Sequence, residues 1–174
     1  ASEAFEMQRL QRHLISSLAN LSVPCLGGRG VRVLDINLYD VSIKLLQARE
    51  GSREGSRLWD ELIAVETDVE KDNLLELLQN VLGVEDYLIP AIGERLQQTD
   101  FDVLFLSGIG EVFPYIRSHN VLNNLQSTAK DKPTVLFFPG EYRHSLEQGA
   151  SLELFGLLHD DKYYRAFNIF ETQV

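Results

Sequence analysis

Two stretches share a pattern suited to holding a ligand: DVLFLSGIGE (102–111) and TVLFFPGE (134–141) each run from an apolar segment through a glycine to a glutamate. A glycine-rich turn that leaves a strand and enters a helix is where backbone amides and a helix N-terminus cradle phosphate. Gly108 and Gly110 match the start of a dinucleotide fingerprint. Phe113, however, stands at the third glycine position, and no acidic residue follows a second strand at the required distance. The pattern G-x-x-x-x-G-K-[ST] occurs nowhere in the chain, which argues against ATP hydrolysis by a phosphate-wrapping loop. If the two apolar runs are neighbouring strands, Gly110-Glu111 and Gly140-Glu141 fall at the carboxyl edge where open α/β sheets bind ligands. Paired carboxylates there divide acid and base duties or hold a magnesium ion. The plainer alternative has Glu111 favouring the positive end of a helix dipole and Glu141 simply solvated.

Pro114 suits the first turn of a helix, since its missing amide hydrogen is not needed there, and the spacing predicts a helix from Pro114 to about Gln126. On that helix His119 joins Tyr115, Ile116 and Leu122 on the buried side, while Arg117, Asn120 and Asn124 gather on the opposite flank as contacts for an anion or a partner. A histidine on an apolar face is more often a core residue with a satisfied hydrogen bond than a catalyst. Other arrangements offer less. Cys25 sits in a Pro/Gly turn with only Arg29 as a nearby base, the four histidines show no metal-ligand spacing, and Ser107 and Ser145 lie in no G-x-S-x-G elbow.

The elements that must position these residues read as an α/β fold: a mostly parallel sheet flanked by helices, in one domain spanning 1–174. Phe5, Leu10, Leu14, Leu18 and Leu21 fall at helical spacing before SVPCLGGRG stops the pattern. VRVLDINLYD then reads as a buried strand, with Asp40 placed to cap the helix VSIKLLQARE. The repeated REGSREGS (49–56) reads as an exposed polar loop, with Ser56 as cap for SRLWDELIAVE. Thr67 and Glu70 have capping-box spacing ahead of a stripe of Leu74, Leu75, Leu78 and Leu82 that ends at Gly83. Pro90 predicts a kink or a late helix start within 84–98. Residues 39–98 thus form a long helical insertion between strands, a candidate partner surface or cap over the sheet. DVLFLS and TVLFF are short apolar runs that suit parallel strands joined by a right-handed crossover. A polar loop, EYRHSLEQGA, then leads to a strand in SLELFGLL and a further strand in DDKYYRAFNIF.

The chain has 174 residues, 44% hydrophobic, and no apolar run approaches the length of a membrane span. The N-terminus lacks the pattern of a secretory signal, and a lone cysteine fits a reducing compartment, so a cytoplasmic protein is expected. Sixteen Lys plus Arg against 26 Asp plus Glu give a net charge of −10, the opposite of what a phosphate-neutralising protein carries, and direct nucleic-acid binding is a poor first expectation.

Several of these stretches taken in order, VRVLDINLYD, FDVLFLSGIGEVFPYIRSHNVLNNLQ, PTVLFFPGEY, LELFG and DDKYYRAF, resemble BrxB, the small component of the bacteriophage exclusion (BREX) defence systems. The resemblance covers roughly 31–46 and 101–169. It implies a further apolar strand near the N-terminus, where this chain has a helix, and a shorter segment than RHSLEQGA between PGEY and LELFG. It also implies a role in host defence beside a phosphatase-like PglZ protein, a large ATPase and a DNA methyltransferase. It brings no catalytic residues and no cofactor. The leading expectation is therefore a noncatalytic adaptor that binds another component such as PglZ. The rivals are a nucleotide- or metal-dependent enzyme built on Gly108, Gly110, Glu111, Gly140 and Glu141, and a subunit that contacts DNA directly.

Overall fold

The computed structural model describes residues 2–145, 149–154, 158–160 and 168–171. They form two compact units, 1–137 and 138–174.

The first unit is organised on three parallel strands in the order β1-β2-β3: β1 (Val33–Asn37), β2 (Val103–Ser107) and β3 (Thr134–Leu136). Each strand is short, so its register is set by which side chains reach the core. Ile36 is opposite Leu106, and Leu106 opposite Leu136, so these residues share one face with Leu34 and Leu104. Ile36, Leu104 and Leu106 are fully buried. Between β1 and β2 the regular elements are all helical, joined by loops: α2 (Leu38–Ala48), α3 (Leu58–Glu66), α4 (Lys71–Val81), a π turn (Val84–Leu88) and α5 (Ile89–Gln98). From β2 to β3 it passes through the short α6 (Ile109–Val112) and α7 (Ser118–Thr128). The helices α2, α5 and α7 and the π turn pack together and contribute Val41, Leu46, Leu88, Ile92, Val121 and Leu125 to the core. The α/β class and the parallel β2–β3 pair agree with the apolar patterning.

The other sheet face carries Asp35, Phe105 and Ser107, with Phe137 edge-on to Phe105 at 5.1 Å between ring centroids. The N-terminal helix α1 (Ser2–Asn20) reaches it through Gln11. The buried Gln11 amide donates to Asp35 Oδ1 at 2.5 Å and to Ser107 Oγ at 3.5 Å. Packing of α1 pushes the Asp35 carboxyl above its ordinary pKa, opposed by the Gln11 hydrogen bond, although the residue keeps solvent access.

The amino-terminal ends of β1 and β2 are tied by a charge cluster. Asp102 accepts from Arg29 at 2.6 and 2.8 Å, from the Arg32 guanidinium and from the Arg32 backbone amide at 2.8 Å, while Arg32 also pairs with Asp100. The Arg29 and Arg32 bonds hold the Asp102 carboxyl far below the usual carboxylate range. A depressed folded pKa means that Asp102 contributes its stability above the unfolded pKa of about 4 and loses it as pH falls further. Both arginines are partly exposed, so salt screens part of the effect. Asp102→Asn is therefore expected to lower the urea midpoint at neutral pH and to leave a shallower loss of stability on acidification. Denaturation curves across the acid range check both.

Several local expectations are corrected. The cap of α2 is Asn37, not Asp40: its side-chain oxygen accepts from the amides of Tyr39 at 2.8 Å and Asp40 at 3.2 Å, and Asp40 lies in the first turn. Ser56 does not cap α3. Its hydroxyl donates to Glu61, whose carboxylate also gathers Ser52 and Arg53 and organises the REGSREGS loop from within the helix. Thr67 ends α3 and Glu70 precedes α4 without a side-chain capping bond, so the capping box does not form. Two others agree: α4 ends at Val81 with Leu82 as its cap, so Gly83 stands just past the helix end. Pro90 gives the late start, in the first turn of α5. The helix expected from Pro114 begins instead at Ser118. Phe113 has φ −71° and ψ 138°, the extended conformation a residue before proline favours, and this separates α6 from α7.

The second unit contains an antiparallel sheet, β4 (Gly140–Ser145), β5 (Gly149–Leu154) and β6 (Leu158–Asp160), in that order. The expected polar loop is thus largely a hairpin, with Ser145 opposite Gly149. The strand expected in SLELFGLL corresponds to β5 and the start of β6 on either side of 155–157. Most of DDKYYRAFNIF lies outside the described residues, and Ile169–Glu171 forms a 3-10 turn.

Candidate functional site: the carboxyl edge of the parallel sheet

At the carboxyl end of β1 the chain enters α2 directly, and the Asn37 side chain is drawn in to satisfy two of the helix's free amides. Beside it, β2 ends in Gly108, which turns in the left-handed region at φ 82° to start α6. The two turns are in close contact. A Cβ on Gly108 would meet Asn37 Oδ1 at 2.5 Å and Leu38 N at 3.0 Å. From the other side the Asn37 amide donates to Glu111 Oε2 at 3.5 Å, and Tyr115 Oη donates to the Glu111 carbonyl at 3.0 Å. The Gly108 carbonyl accepts from the amides of Glu111 and Val112, both at 3.2 Å, so the turn closes on itself.

The glycines therefore have different duties. Gly108 is required by its dihedral and by the close approach of Asn37, whereas Gly110 lies inside the four-residue α6. A helix that short has almost no dipole to offer an anion. Among the described residues the acidic groups of this edge are Asp35, Asp40 and Glu111. Asp40 stands near enough to Asp35 to add to its raised pKa, and the Tyr115 phenol is raised by burial and then by Tyr39 and Glu111. The negative charge of these carboxylates disfavours a phosphate here. Among the described residues no three His, Cys, Asp or Glu side chains come together as a metal centre.

Arg117, Asn120 and Asn124 are brought together, as their spacing implies, although Pro114 and Tyr115 are not on their helix. Arg117 is exposed immediately before α7, and with Asn120 it lines an open polar groove of about 460 Å³ that includes Gln79, Glu85, Asp86 and Tyr115. The Asn124 amide donates to the Asn120 carbonyl at 2.8 Å and to Glu85 Oε1 at 3.5 Å. His119 is buried in α7. Gly140 and Glu141 open β4 in the second unit, where Glu141 is paired opposite Glu153 in the hairpin, and do not form a turn of the parallel sheet.

Sequence reasoning missed Asn37, whose side chain caps α2 and lies against the Gly108 turn. Its signal is the spacing Asn37-x-x-Asp40 at the end of an apolar run, which marks a helix start at either residue. It also missed the Gln11–Asp35–Ser107 cluster, whose members are far apart along the chain.

Fold and edge together define an α/β protein whose strand-end turn is filled by its own side chains. The family model described as BREX protein BrxB matches residues 34–169, and the chain belongs to the BrxB family. It is 33% identical over 144 residues to a BREX protein BrxB of Bacillus cereus (strain H3081.97), covering 81% of this chain and 68% of that relative. It is 27% identical over 134 residues to a BREX protein BrxB of Escherichia coli O9:H4 (strain HS), covering 77% of this chain and 60% of that one. No solved structure matches the chain. No helix among the described residues is long and apolar enough to cross a membrane.

Proposed function

We infer that this chain is a component of a BREX phage-defence assembly and acts there as a noncatalytic adaptor, binding another component, with the PglZ-like protein as the first candidate. Membership of the BrxB family is the observation that carries this reading. The strand-end edge supports it: Asn37 Oδ1 lies 2.5 Å from where a Cβ on Gly108 would stand, and the charge gathered at this edge, from Asp35, Asp40 and Glu111, is acidic. The placement of Glu141 in an antiparallel hairpin weighs against the paired-carboxylate enzyme, and the net charge of −10 weighs against direct DNA contact.

Two measurements test it. Tagged protein expressed with the other components of its BREX system is expected to retain the PglZ-like protein through purification, and recovery of none of the components would sink the adaptor reading. The Glu111→Gln/Glu141→Gln double variant is expected to fold and to protect cells from phage as well as the unaltered chain. Loss of protection with unchanged folding and partner recovery would instead favour an enzyme.

A further inference from the structure

The net charge is not spread over the chain. Between Leu58 and Asp86 there are nine acidic residues against the single Lys71, while the remainder carries seventeen acidic and fifteen basic and is nearly neutral. About one sixth of the chain thus holds a net −8 of the total −10. This segment is α3, α4 and the start of the π turn.

The same segment leaves apolar surface uncovered. On α4, Leu74, Leu75, Leu77 and Leu78 are only half-buried, and none of its residues reaches the core. These leucines form one broad apolar side of the helix, with Asp72, Asn73, Glu76 and Asn80 on the other. Among the described residues α4 lacks the element-to-element packing that α2, α5 and α7 share. On α3, Leu62 is buried, but Ile63 and Val65 are 50% and 36% exposed. A helix with no fully buried residue gains less from tertiary packing than its neighbours do, and most helical stability in a protein depends on such packing.

We propose that α3 and α4 form a docking surface for a partner protein that presents Lys and Arg around an apolar strip, as a basic amphipathic helix does. Charge decides between occupants. A second copy would set two segments of net −8 against each other, a repulsion that no basic residue of the segment but Lys71 relieves. The chain's own residues 138–174 are no better matched, with six acidic residues against three basic. Nucleic acid is repelled outright. A basic partner is attracted at long range, and the leucines then supply the desolvated centre of the contact.

This inference rests on the adaptor reading and specifies where and with what chemistry the adaptor binds. Its test uses the full chain, co-purified with the other BREX components. In Glu66→Lys/Asp72→Lys/Glu76→Lys, three exposed acids of the segment are reversed; Glu54→Lys/Glu94→Lys/Asp131→Lys reverses three exposed acids elsewhere for the same change in net charge. The first variant is expected to lower partner recovery by about tenfold or more while the second leaves it unchanged, both with unaltered melting temperatures. Recovery by the unaltered chain is expected to fall as salt rises, a readout that needs no variant. Equal recovery by both variants, or salt-insensitive recovery, overturns the docking surface while leaving the adaptor reading intact. Recovery of no component by the unaltered chain overturns both. Light scattering that shows a homodimer of the unaltered chain, lost in the first variant, assigns the surface to a second copy and also overturns the proposal.

Discussion

Gly30→Ala is expected to destabilise the chain by on the order of 3 kcal/mol and to lower its melting temperature by roughly 10 °C. The cause is a backbone collision. A Cβ at position 30 would stand 1.8 Å from the carbonyl oxygen of Ala19 and 2.5 Å from its carbonyl carbon. Neither atom is a side-chain tip that can swing aside. The last turn of α1 ends with carbonyls that the helix itself leaves unpaired, and Leu18 O is satisfied by the Val31 amide at 2.9 Å. Gly30 is the residue that lets this segment pass so close. With a methyl group there, either that hydrogen bond opens or α1 moves, and with it the Gln11 contacts to Asp35 and Ser107 on the sheet. Two other glycines give the contrast. Gly27 has φ 71° with nothing within 4 Å of where a methyl group would stand, so Gly27→Ala costs only the dihedral, about 1 kcal/mol. Gly93 lies inside α5, where a Cβ would meet Thr128 Cγ2 at 3.4 Å, and Gly93→Ala is expected to be neutral or stabilising by up to about 1 kcal/mol. Thermal unfolding of the three variants orders them. A melting temperature for Gly30→Ala equal to that of Gly27→Ala would refute the close passage.

What the sequence made legible follows from the range of the interaction that fixes each feature. The run VLFLS is a strand because it is apolar at nearly every position, and a strand covered on both faces requires that of its own residues alone; TVL carries the same pattern in a strand with no fully buried residue. The long helical excursion was legible for the same reason: α2, α4 and α5 carry their stripes locally. The start of α2 was misplaced because Asn37 and Asp40 offer the same capping chemistry three residues apart, and it is Asn37 that has the extended backbone of a cap, while Asp40 is already in the first turn. Pro114 misled because proline is equally at home in a first helical turn and after an extended residue, and the extended Phe113 decided it. Glu61 gathering the 52–56 loop and Asp102 clamping Arg29 and Arg32 depend on partners that periodicity does not reveal. In the edge itself the Gly-Ile-Gly-Glu turn stood out at once, but what fills it comes from another strand, about seventy positions away in the chain. The leucine stripe of α4 was plain in the sequence; that the fold leaves none of it fully buried was not, because amphipathicity says that a face is apolar without saying what covers it.

Gly108→Ala is expected to cost about 2–3 kcal/mol, and the substitution of Asn37 shows why. Two terms contribute. An alanine held at φ 82° costs about 1–2 kcal/mol through contact of its Cβ with its own backbone. The same Cβ lies 2.5 Å from Asn37 Oδ1, so the amide must leave the position in which it caps α2, and loss of an asparagine cap costs about 1 kcal/mol. Asn37→Ala by itself removes the cap and the 3.5 Å contact to Glu111 while relieving the crowding at position 108. In an Asn37→Ala background, Gly108→Ala should therefore keep the dihedral cost of about 1–2 kcal/mol and the tight contact with Leu38 N but lose the collision with the amide, which makes the two substitutions less than additive by about 1 kcal/mol. Denaturant unfolding of the four proteins of the cycle measures this coupling directly. Additive effects would mean that Asn37 does not occupy the space above Gly108, and the edge would then be open to a small ligand after all. Coupling of the expected sign, together with phage protection that falls only as far as stability does, identifies the turn as a bend sealed from within. Protection lost by a variant that remains folded and keeps its partner would show instead that the edge itself takes part in defence, separately from the acidic helical surface.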